Sequence, residues 1–260
     1  MNAGPGHEPY SNRAAAPLLC AGQWITVPPG CENERATNVP DKGVIDVVEI
    51  RTYTEADRQR MRALFARAGE GSPTESLWGH VESEAAIYLH PYLDLEPDSV
   101  LLAVGDDGEL TGYLTGCLDT ARFPSESKRM ERAIKEYRLV FKRSTAKFFA
   151  TAAFDGITGL VRRQPGAGEL SDPRWPAHLH INVQPDARGT GAADGLMNTW
   201  LQKLRETGSA GCHLQTLCEN TRAVRFFERM GFVKHGPTPL VPGIRYRGRR
   251  LHQQTMVWNP

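Results

Sequence analysis

The chain has 260 residues, of which 40% are hydrophobic, enough for a packed core in one large domain or two small ones. A formal net charge of +1 gives no overall attraction to nucleic acid or membranes, and no apolar run is long enough to cross a bilayer. The five cysteines form no C-x-x-C pair and no metal-ligand spacing, which indicates free thiols in a reducing compartment. We therefore expect a cytoplasmic protein with no metal, and neither membrane nor nucleic acid as a partner.

The first 43 residues differ in composition from the rest of the chain. They are rich in glycine, proline, asparagine, alanine and glutamate, and they show no helical or strand periodicity. We predict a disordered or loosely docked N-terminal extension over residues 1–43 and one folded domain over residues 44–260. An apolar stretch around Trp24 is the exception, and it would dock on the folded body or on a partner.

The first half of the domain predicts the element order β-α-α-β-β. A β-branched run at residues 44–53 predicts a strand, and apolar residues at helical spacing predict helices at 55–68 and 76–89. Residues 89–99 contain two prolines and predict an irregular segment. Two apolar runs within residues 100–118 flank an Asp-Gly turn, which is the pattern of a β-hairpin.

A helical insertion is predicted at residues 120–175, between the third and fourth strands. Apolar side chains at helical spacing form one face: Met130, Ile134, Tyr137, Phe141 and Phe148. The opposite face is basic with three acidic residues among the cations: Lys128, Arg129, Arg132, Lys135, Arg138, Lys142, Arg143 and Lys147 against Glu126, Glu131 and Glu136. A solvated surface is expected there, and an anion-facing surface beside a cleft is the alternative.

A glycine-containing turn follows the predicted strand at residues 177–183. Pro185 interrupts the strand, and Gly189 and Gly191 allow the backbone to turn sharply and to approach a ligand closely. The helix that starts near Gly191 presents unpaired N–H groups and a positive dipole end, and Arg188 adds a charge. The turn therefore fits a phosphate group, with an ordinary strand-to-helix turn as the alternative.

Two motifs around the next predicted strand, residues 212–217, resemble a known family. They are Arg188-Gly189-Thr190-Gly191-Ala192-Ala193 and Asn220…Ala223…Phe226-Phe227-Glu228…Gly231-Phe232. Their order and separation resemble the two signatures of the GCN5-related N-acetyltransferases (GNAT). The resemblance implies an α/β (α+β) domain of the GNAT fold, with a mixed, mostly antiparallel central sheet flanked by helices. It also implies transfer of an acetyl group from acetyl-CoA directly to an amine of a small molecule or protein.

The resemblance carries a set of expected cofactor-binding residues. The backbone at Val183 would hold the pantetheine arm, and the turn Arg188, Gly189, Thr190, Gly191, Ala192 and Ala193 would hold the pyrophosphate. Asn220 would contact the CoA arm. The tyrosine that usually protonates the leaving thiolate is replaced by Phe227, which has no proton to give.

Catalytic residues are less well indicated than binding residues. His180, Asp119 and Tyr246 are the candidates, and each also has an ordinary structural interpretation. His178 and His180 share one face of the predicted strand, opposite to Leu179 and Ile181. A bulge would reverse that parity, so the sequence leaves open which face meets the cleft.

A second resemblance concerns a subgroup of the family. Residues 88–97, the strand ending at Asp119 and the long insertion resemble the acetyltransferase-like C-terminal domain of O-GlcNAcases and its stand-alone bacterial relatives. That likeness implies the alternative of a binding or scaffold module with weak or absent catalysis. A homodimer is also left open.

Overall fold

A computed structural model describes residues 48–68 and 78–260. The predicted N-terminal extension and the starts of the first strand and second helix lie outside the described residues. The strands are β1 Glu49–Thr52, β2 Val100–Val104, β3 Leu110–Cys117, β4 Ala177–Val183, β5 Cys212–Leu217, β6 Val233–His235, β7 Leu240–Tyr246 and β8 Arg249–Trp258. The helices are α1 Arg58–Ala68, α2 Val81–Tyr88, α3 His90–Leu95, α4 Glu126–Glu136, α5 Arg143–Val161, α6 Ala192–Glu206 and α7 Thr221–Arg229.

The strands form one sheet in the order β1-β2-β3-β4-β5-β8-β6, with β7 also paired to β8. The β4–β5 pair is parallel, and the other pairs are antiparallel. Helices cover both faces of the sheet. The prediction of a mixed, mostly antiparallel sheet flanked by helices, with helices between the third and fourth strands, is therefore confirmed.

Two hydrophobic cores lie on opposite faces of the sheet. One is built with side chains of α1 to α5, and the other with side chains of α6 and α7. Because side chains alternate along a strand, neighbouring residues of β4 belong to different faces. Leu179 and Ile181 are buried in the core under α6, whereas His178 contacts Tyr92 and Phe123 of the other core. We call these two sides the α6 face and the α3 face.

The parallel pair β4–β5 separates soon after it begins. Its register contains only Ala177 opposite Cys212 and His178 opposite His213. Beyond that point β4 continues its pairing with β3, and β5 continues its pairing with β8. The separation therefore leaves a slot in the middle of the sheet, where two inner strand edges do not bond to each other.

The segment predicted to be irregular contains a helix. Residues His90–Leu95 form α3, and a single 3₁₀ turn follows at Pro97–Ser99. Each proline stands in the first turn of its helix, where a missing N–H costs no intrahelical hydrogen bond. The prolines start the two helices here, and the expectation of an irregular segment was wrong.

The insertion is two helices with a break between them. Arg138 adopts a left-handed conformation at φ 50°, and a 3₁₀ turn at Leu139–Phe141 leads into α5. As a result the expected apolar face is discontinuous: Met130 and Phe148 are buried, but Phe141 is 87% exposed. The expectation of a wholly solvated opposite face was also wrong, because Glu126 and Arg129 are buried.

A buried carboxylate fastens the insertion to the C-terminal hairpin. Asp155 of α5 accepts hydrogen bonds from Arg245 Nη2 at 2.7 Å and from the backbone N–H of Gly243 at 3.0 Å. The hairpin β7–β8 begins at Leu240, within the proline-rich residues 237–242. Its tight turn places Arg247 and Gly248 at positive φ, as in a type I′ turn.

Gly116 of β3 is required by the packing of α6, which gives a stability prediction. A Cβ there would lie 2.4 Å from two ring atoms of Trp200, which is fully buried. We expect Gly116→Ala to lower the free energy of unfolding by about 1–3 kcal/mol through overpacking. Urea unfolding followed by circular dichroism measures the change.

The control is Gly159→Ala in α5, where a Cβ would meet nothing within 4 Å. That substitution should be neutral or stabilise by up to about 1 kcal/mol, because alanine favours helix. Equal stability of Gly116→Ala and the wild type would contradict the close approach of Trp200 to the strand.

Candidate active site

A cavity of about 510 Å³ opens on the α6 face beside the slot. Ile181 and Val183 of β4 form one wall, and the N-terminal residues of α6 and α7 form the others. Its residues also include four arginines: Arg188, Arg222, Arg225 and Arg229. An apolar wall next to a cationic rim suits a ligand with an apolar arm and an anionic end.

The glycine turn leaves its backbone open to that cavity. Gly189 and Gly191 adopt φ of 88° and 90°, and a Cβ on either would meet nothing within 4 Å. Thr190 donates its hydroxyl proton to the carbonyl of Ala187 at 2.8 Å, which ties the turn together from within. Because α6 begins at Ala192, its first N–H groups lie at this opening.

Charge at the cavity favours an anion. Burial, and then the like charge of Arg222, lower the pKa of Arg188 below its usual value. Arg229 instead pairs with Asp194 at 2.7 Å on the exposed rim. A phosphate placed among these groups would offset the repulsion between Arg188 and Arg222.

The expected cofactor residues fall into two sets. The cavity walls include Val183, Arg188, Gly189, Gly191, Ala192 and Ala193. Thr190, Asn220 and Phe227 are not among the lining residues. Asn220 is the N-cap of α7, where its side-chain oxygen accepts from the N–H of Ala223 at 3.2 Å. Phe227 is 1% exposed and packs against Phe226 and Phe232, and it is Phe226 that reaches the cavity.

The three catalytic candidates lie in different surroundings. Asp119 follows β3 and caps a turn, with its carboxylate accepting from the N–H of Ala121 at 3.0 Å. Tyr246 ends β7, with the guanidinium of Arg247 over its ring at 5.2 Å. His180 is on β4 just beyond the last β4–β5 pair, on the α3 face of the slot. The pairing of β3 with β4 is regular, so no bulge reverses the parity of His178 and His180.

A chain of polar contacts lies under His180. The hydroxyl oxygen of Tyr92 is 2.9 Å from Nε2 of His180 and 2.8 Å from Nε2 of His178. Nδ1 of His178 is 2.7 Å from the hydroxyl oxygen of Thr120. Burial, and then neighbouring His213, hold the pKa of His178 well below its usual value, so this ring is neutral near pH 7.

A buried glutamate lies beside this chain. Glu126 accepts a hydrogen bond from the Tyr88 hydroxyl at 2.8 Å, and the ring of Tyr88 is 6.2 Å from that of His180. Burial, and then the carboxylate of Glu169, raise the pKa of Glu126 to about 7. Arg129 bonds to Glu169 at 3.0 Å and lies over the ring of Tyr92 at 5.5 Å. No local sequence pattern indicated this cluster, because its members come from separate segments.

The last residues of the insertion cover part of the α3 face. The backbone of Gly168 exchanges hydrogen bonds with the side chain of Gln253 at 3.1 and 2.8 Å, and its carbonyl also accepts from Gln215 of β5. Next to it, Glu169 accepts from the backbone N–H of Glu126 at 2.8 Å. Residues 162–176 therefore run between β5 and α4, and they border the slot on the α3 face.

Within residues 48–68 and 78–260, no three side chains of histidine, cysteine, aspartate or glutamate come together as a metal site. The same residues contain no helix long and apolar enough to cross a membrane.

Glu126 predicts a pH dependence of stability. Its carboxyl binds a proton more tightly in the folded chain, where the pKa is about 7, than at its ordinary value of 4.5. Folding stability should therefore fall as pH rises from about 4.5 to about 7. The glutamine of Glu126→Gln stays neutral at every pH. As pH rises across that window, the free energy of unfolding of the variant should therefore increase relative to that of the wild type, by up to about 3 kcal/mol. Urea unfolding at several pH values measures the difference.

Glu131→Gln, on the exposed side of α4, is the control. Its hydrogen bond to Lys135 lowers the pKa of Glu131, so removing that carboxylate should give no gain as pH rises. A flat difference between Glu126→Gln and the wild type would mean that Glu126 ionises in its usual range.

The sequence matches a known family of proteins over much of its length. A model of the Acetyltransferase (GNAT) family matches residues 58–232. The chain is 29% identical over 197 residues to a mycothiol acetyltransferase of Nocardia farcinica, covering 71% of this chain and 61% of that protein. The chain thus spans less than two thirds of the length of this relative.

Solved structures show the same fold. One is a ribosomal-protein-alanine N-acetyltransferase from Brucella melitensis, with 19% identity and a TM-score of 0.50 over 82% of this chain and 99% of that one. Another is a polyamine N acetyltransferase from Drosophila melanogaster, with 19% identity and a TM-score of 0.50 over 82% and 100%. Since the family model covers more than half of the sequence, the chain belongs to the GNAT family of acetyltransferases.

Proposed function

We propose that the protein is an acetyl-CoA-dependent N-acetyltransferase that transfers the acetyl group directly to an amine of a small molecule or protein. The observation that carries this proposal is the cavity beside the slot, which joins an open glycine turn to four arginines. Acetyl-CoA has an apolar arm and an anionic pyrophosphate end, which this lining suits.

Each part of the cavity has a role in this proposal. The N–H groups of residues 188–193 hold the pyrophosphate, with Arg188 and Arg222 supplying positive charge. The backbone of Val183 binds the pantetheine arm along the inner edge of β4. Asn220 and Phe227 support α7 from inside the protein rather than line the cavity. The contact of Asn220 with the CoA arm, that of Thr190 with the pyrophosphate and that of Phe227 with the cofactor stay predictions.

The chemistry needs a base more than it needs an acid. The amine nitrogen forms a bond to the thioester carbonyl carbon, the C–S bond breaks, and the amine gives up a proton. His180 is the base in this proposal, because it lies on β4 just beyond the last β4–β5 pair, where the slot begins. Phe227 has no proton for the departing thiolate, so the thiolate leaves as the anion or takes a proton from water.

The acceptor is an amine in this proposal, and its identity is open. The names of the relatives above refer to mycothiol, to an alanine of a ribosomal protein and to polyamines. The fold alone therefore does not select the acceptor. Cytoplasmic location and a homodimer likewise stay predictions.

A second candidate function is a binding module that kept the fold and lost the chemistry. The observation that favours it is Phe227, buried where the family usually has a tyrosine. The proposed likeness to the O-GlcNAcase-associated domains points the same way. The open glycine turn favours the enzyme, because a scaffold needs no anion site.

Acetyl-CoA binding at the glycine turn is tested with Gly191→Asp. The new carboxylate would lie at the anion site, so we expect at least about tenfold weaker acetyl-CoA binding by isothermal titration calorimetry. Gly191→Asn is the matched control: it has the same size and the same strain at φ 90° but no charge. Its affinity should stay well above that of the aspartate variant.

Equal affinity of the two variants and the wild type would mean that acetyl-CoA binds elsewhere. If the wild type itself releases no heat with acetyl-CoA or CoA and gains no thermal stability, the binding-module function replaces the enzyme.

The role of His180 is tested with His180→Gln. Loss of the base should lower kcat by about 10²- to 10⁴-fold while the Kd for acetyl-CoA stays unchanged. The assay follows release of the CoA thiol with a panel of amines, such as a polyamine, an alanine-terminated peptide and an amino sugar. Asp119→Asn is the control and should keep near wild-type activity. Full activity in His180→Gln, or an equal loss in Asp119→Asn, would remove His180 as the base.

A further inference from the structure

Four short contacts connect His180 to a backbone carbonyl. They run from Nε2 of His180 to the Tyr92 hydroxyl at 2.9 Å, and from that hydroxyl to Nε2 of His178 at 2.8 Å. They continue from Nδ1 of His178 to the Thr120 hydroxyl at 2.7 Å, and from there to the carbonyl oxygen of Pro176 at 2.7 Å. Each contact needs one proton between its two atoms.

Counting protons from the carbonyl end assigns every contact. The Pro176 oxygen only accepts, so Thr120 gives it the single hydroxyl proton. Nδ1 of His178 must then carry a proton and donate it to Thr120. The neutral His178 ring has its lone pair on Nε2, so Tyr92 donates there. Tyr92 then has no proton left, and Nε2 of His180 must donate to it.

Hydrogen-bond donation in the opposite direction along the chain is impossible at one contact. If Thr120 donated to His178, two acceptor oxygens, those of Thr120 and Pro176, would face each other at 2.7 Å without a proton. A doubly protonated His178 would also satisfy the distances, but its surroundings oppose the charge. The ring is 5% exposed, and Arg129, His213 and His180 all disfavour its protonation.

We infer that this chain holds neutral His180 as the Nε2–H tautomer, with its lone pair on Nδ1, and that Tyr92 and Thr120 are positioning residues for the reaction. The tautomer follows from the contacts alone, whereas the catalytic role rests on the proposed function. In that role Nδ1 of His180 takes the proton from the amine, and the N–H···O bond to Tyr92 orients the ring.

The chain positions His180 and does not conduct protons. A backbone carbonyl does not accept a proton outright, so a proton taken up by His180 has no exit through Thr120. Other ionisable groups lie near His178 and His180: Tyr88 with its bonded Glu126 on one side, and Arg129 with Glu169 over Tyr92. For that reason the direct test reads the tautomer and does not depend on a pH profile.

The first experiment is two-bond ¹H–¹⁵N NMR of protein labelled with ¹⁵N-histidine, at a pH where His180 is neutral. The chain has eight histidines, so His178→Gln and His180→Gln variants identify the two rings. We expect opposite tautomers, with the proton on Nδ1 in His178 and on Nε2 in His180. A proton on Nδ1 of neutral His180 overturns the inference, whether or not the protein is an enzyme.

The second experiment changes the tautomer from the far end of the chain. Thr120→Val removes the hydroxyl but keeps the backbone N–H bond to Pro176 at 2.8 Å. The Nδ1–H of His178 then has no acceptor, so the proton should move to Nε2 and reverse the two bonds beyond it. We expect His180 to shift toward the Nδ1–H tautomer. Thr120→Ser keeps the hydroxyl and should keep the wild-type tautomers.

Activity gives a separate readout. Thr120→Val and Tyr92→Phe should lower kcat about 10- to 100-fold at unchanged acetyl-CoA Kd. Thr120→Ser, which keeps the hydroxyl, should have the kcat of the wild type. Thermal unfolding reports whether each variant is folded. If folded Thr120→Val keeps both the wild-type tautomer and kcat, the positioning role is wrong. If acetyl-CoA binding itself is absent in the wild type, the proposed function fails while the tautomer result stands.

Discussion

The separation of β4 from β5 is the constraint on which the site depends. Two residue pairs hold the parallel strands together, and from there each strand follows a different partner. A sheet normally pairs the backbone groups of its inner strands completely. Here β4 and β5 do not pair with each other beyond His178 and His213, and an extended ligand arm that entered between them would lie where a further strand would. The glycine turn and α6 then follow directly from the end of β4, so the anion site and the slot share one strand.

Because side chains alternate along β4, its two faces contact different groups. Ile181 and Val183 meet the cavity with its arginines, while His178 and His180 meet a buried hydrogen-bonded network that includes Tyr92, Tyr88 and Glu126, with Arg129 over the ring of Tyr92. One face therefore suits an anionic ligand, and the other suits proton transfer. Buried polar groups are costly unless they are paired, and this network is densely paired. Ionising Glu126 within it is still costly, as the raised pKa of its carboxyl shows, and groups with shifted pKa values cluster at functional sites.

The insertion between β3 and β4 supplies much of the second face. α4 brings Glu126 and Arg129, and the segment after α5 brings Glu169 and the Gly168 backbone that bonds to Gln215 and Gln253. Asp155 fixes α5 to the last hairpin. These contacts are long-range and polar, so the insertion is built into the body of the domain on this side of the slot.

Local patterns in the sequence determined much of the fold. The strands at 177–183 and 212–217 follow from short apolar runs between breakers, and the Asp-Gly turn predicts the hairpin β2–β3. The glycine turn before α6 is visible because Gly189 and Gly191 need positive φ. These features are set by neighbours in the chain, and the two motifs around them were enough to recognise the family.

Only the tertiary structure decided which residues form the site. His180 looked equivalent to Asp119 and Tyr246 until the pairing of β3 with β4 fixed its face and the end of the β4–β5 register fixed its place at the slot. Glu126 and Arg129 looked solvated in a charged helix, yet they are buried because Tyr88, Glu169 and Tyr92 come from distant segments to meet them. Burial and hydrogen bonding depend on partners far apart in the chain, and local sequence patterns contain no record of which partners those are.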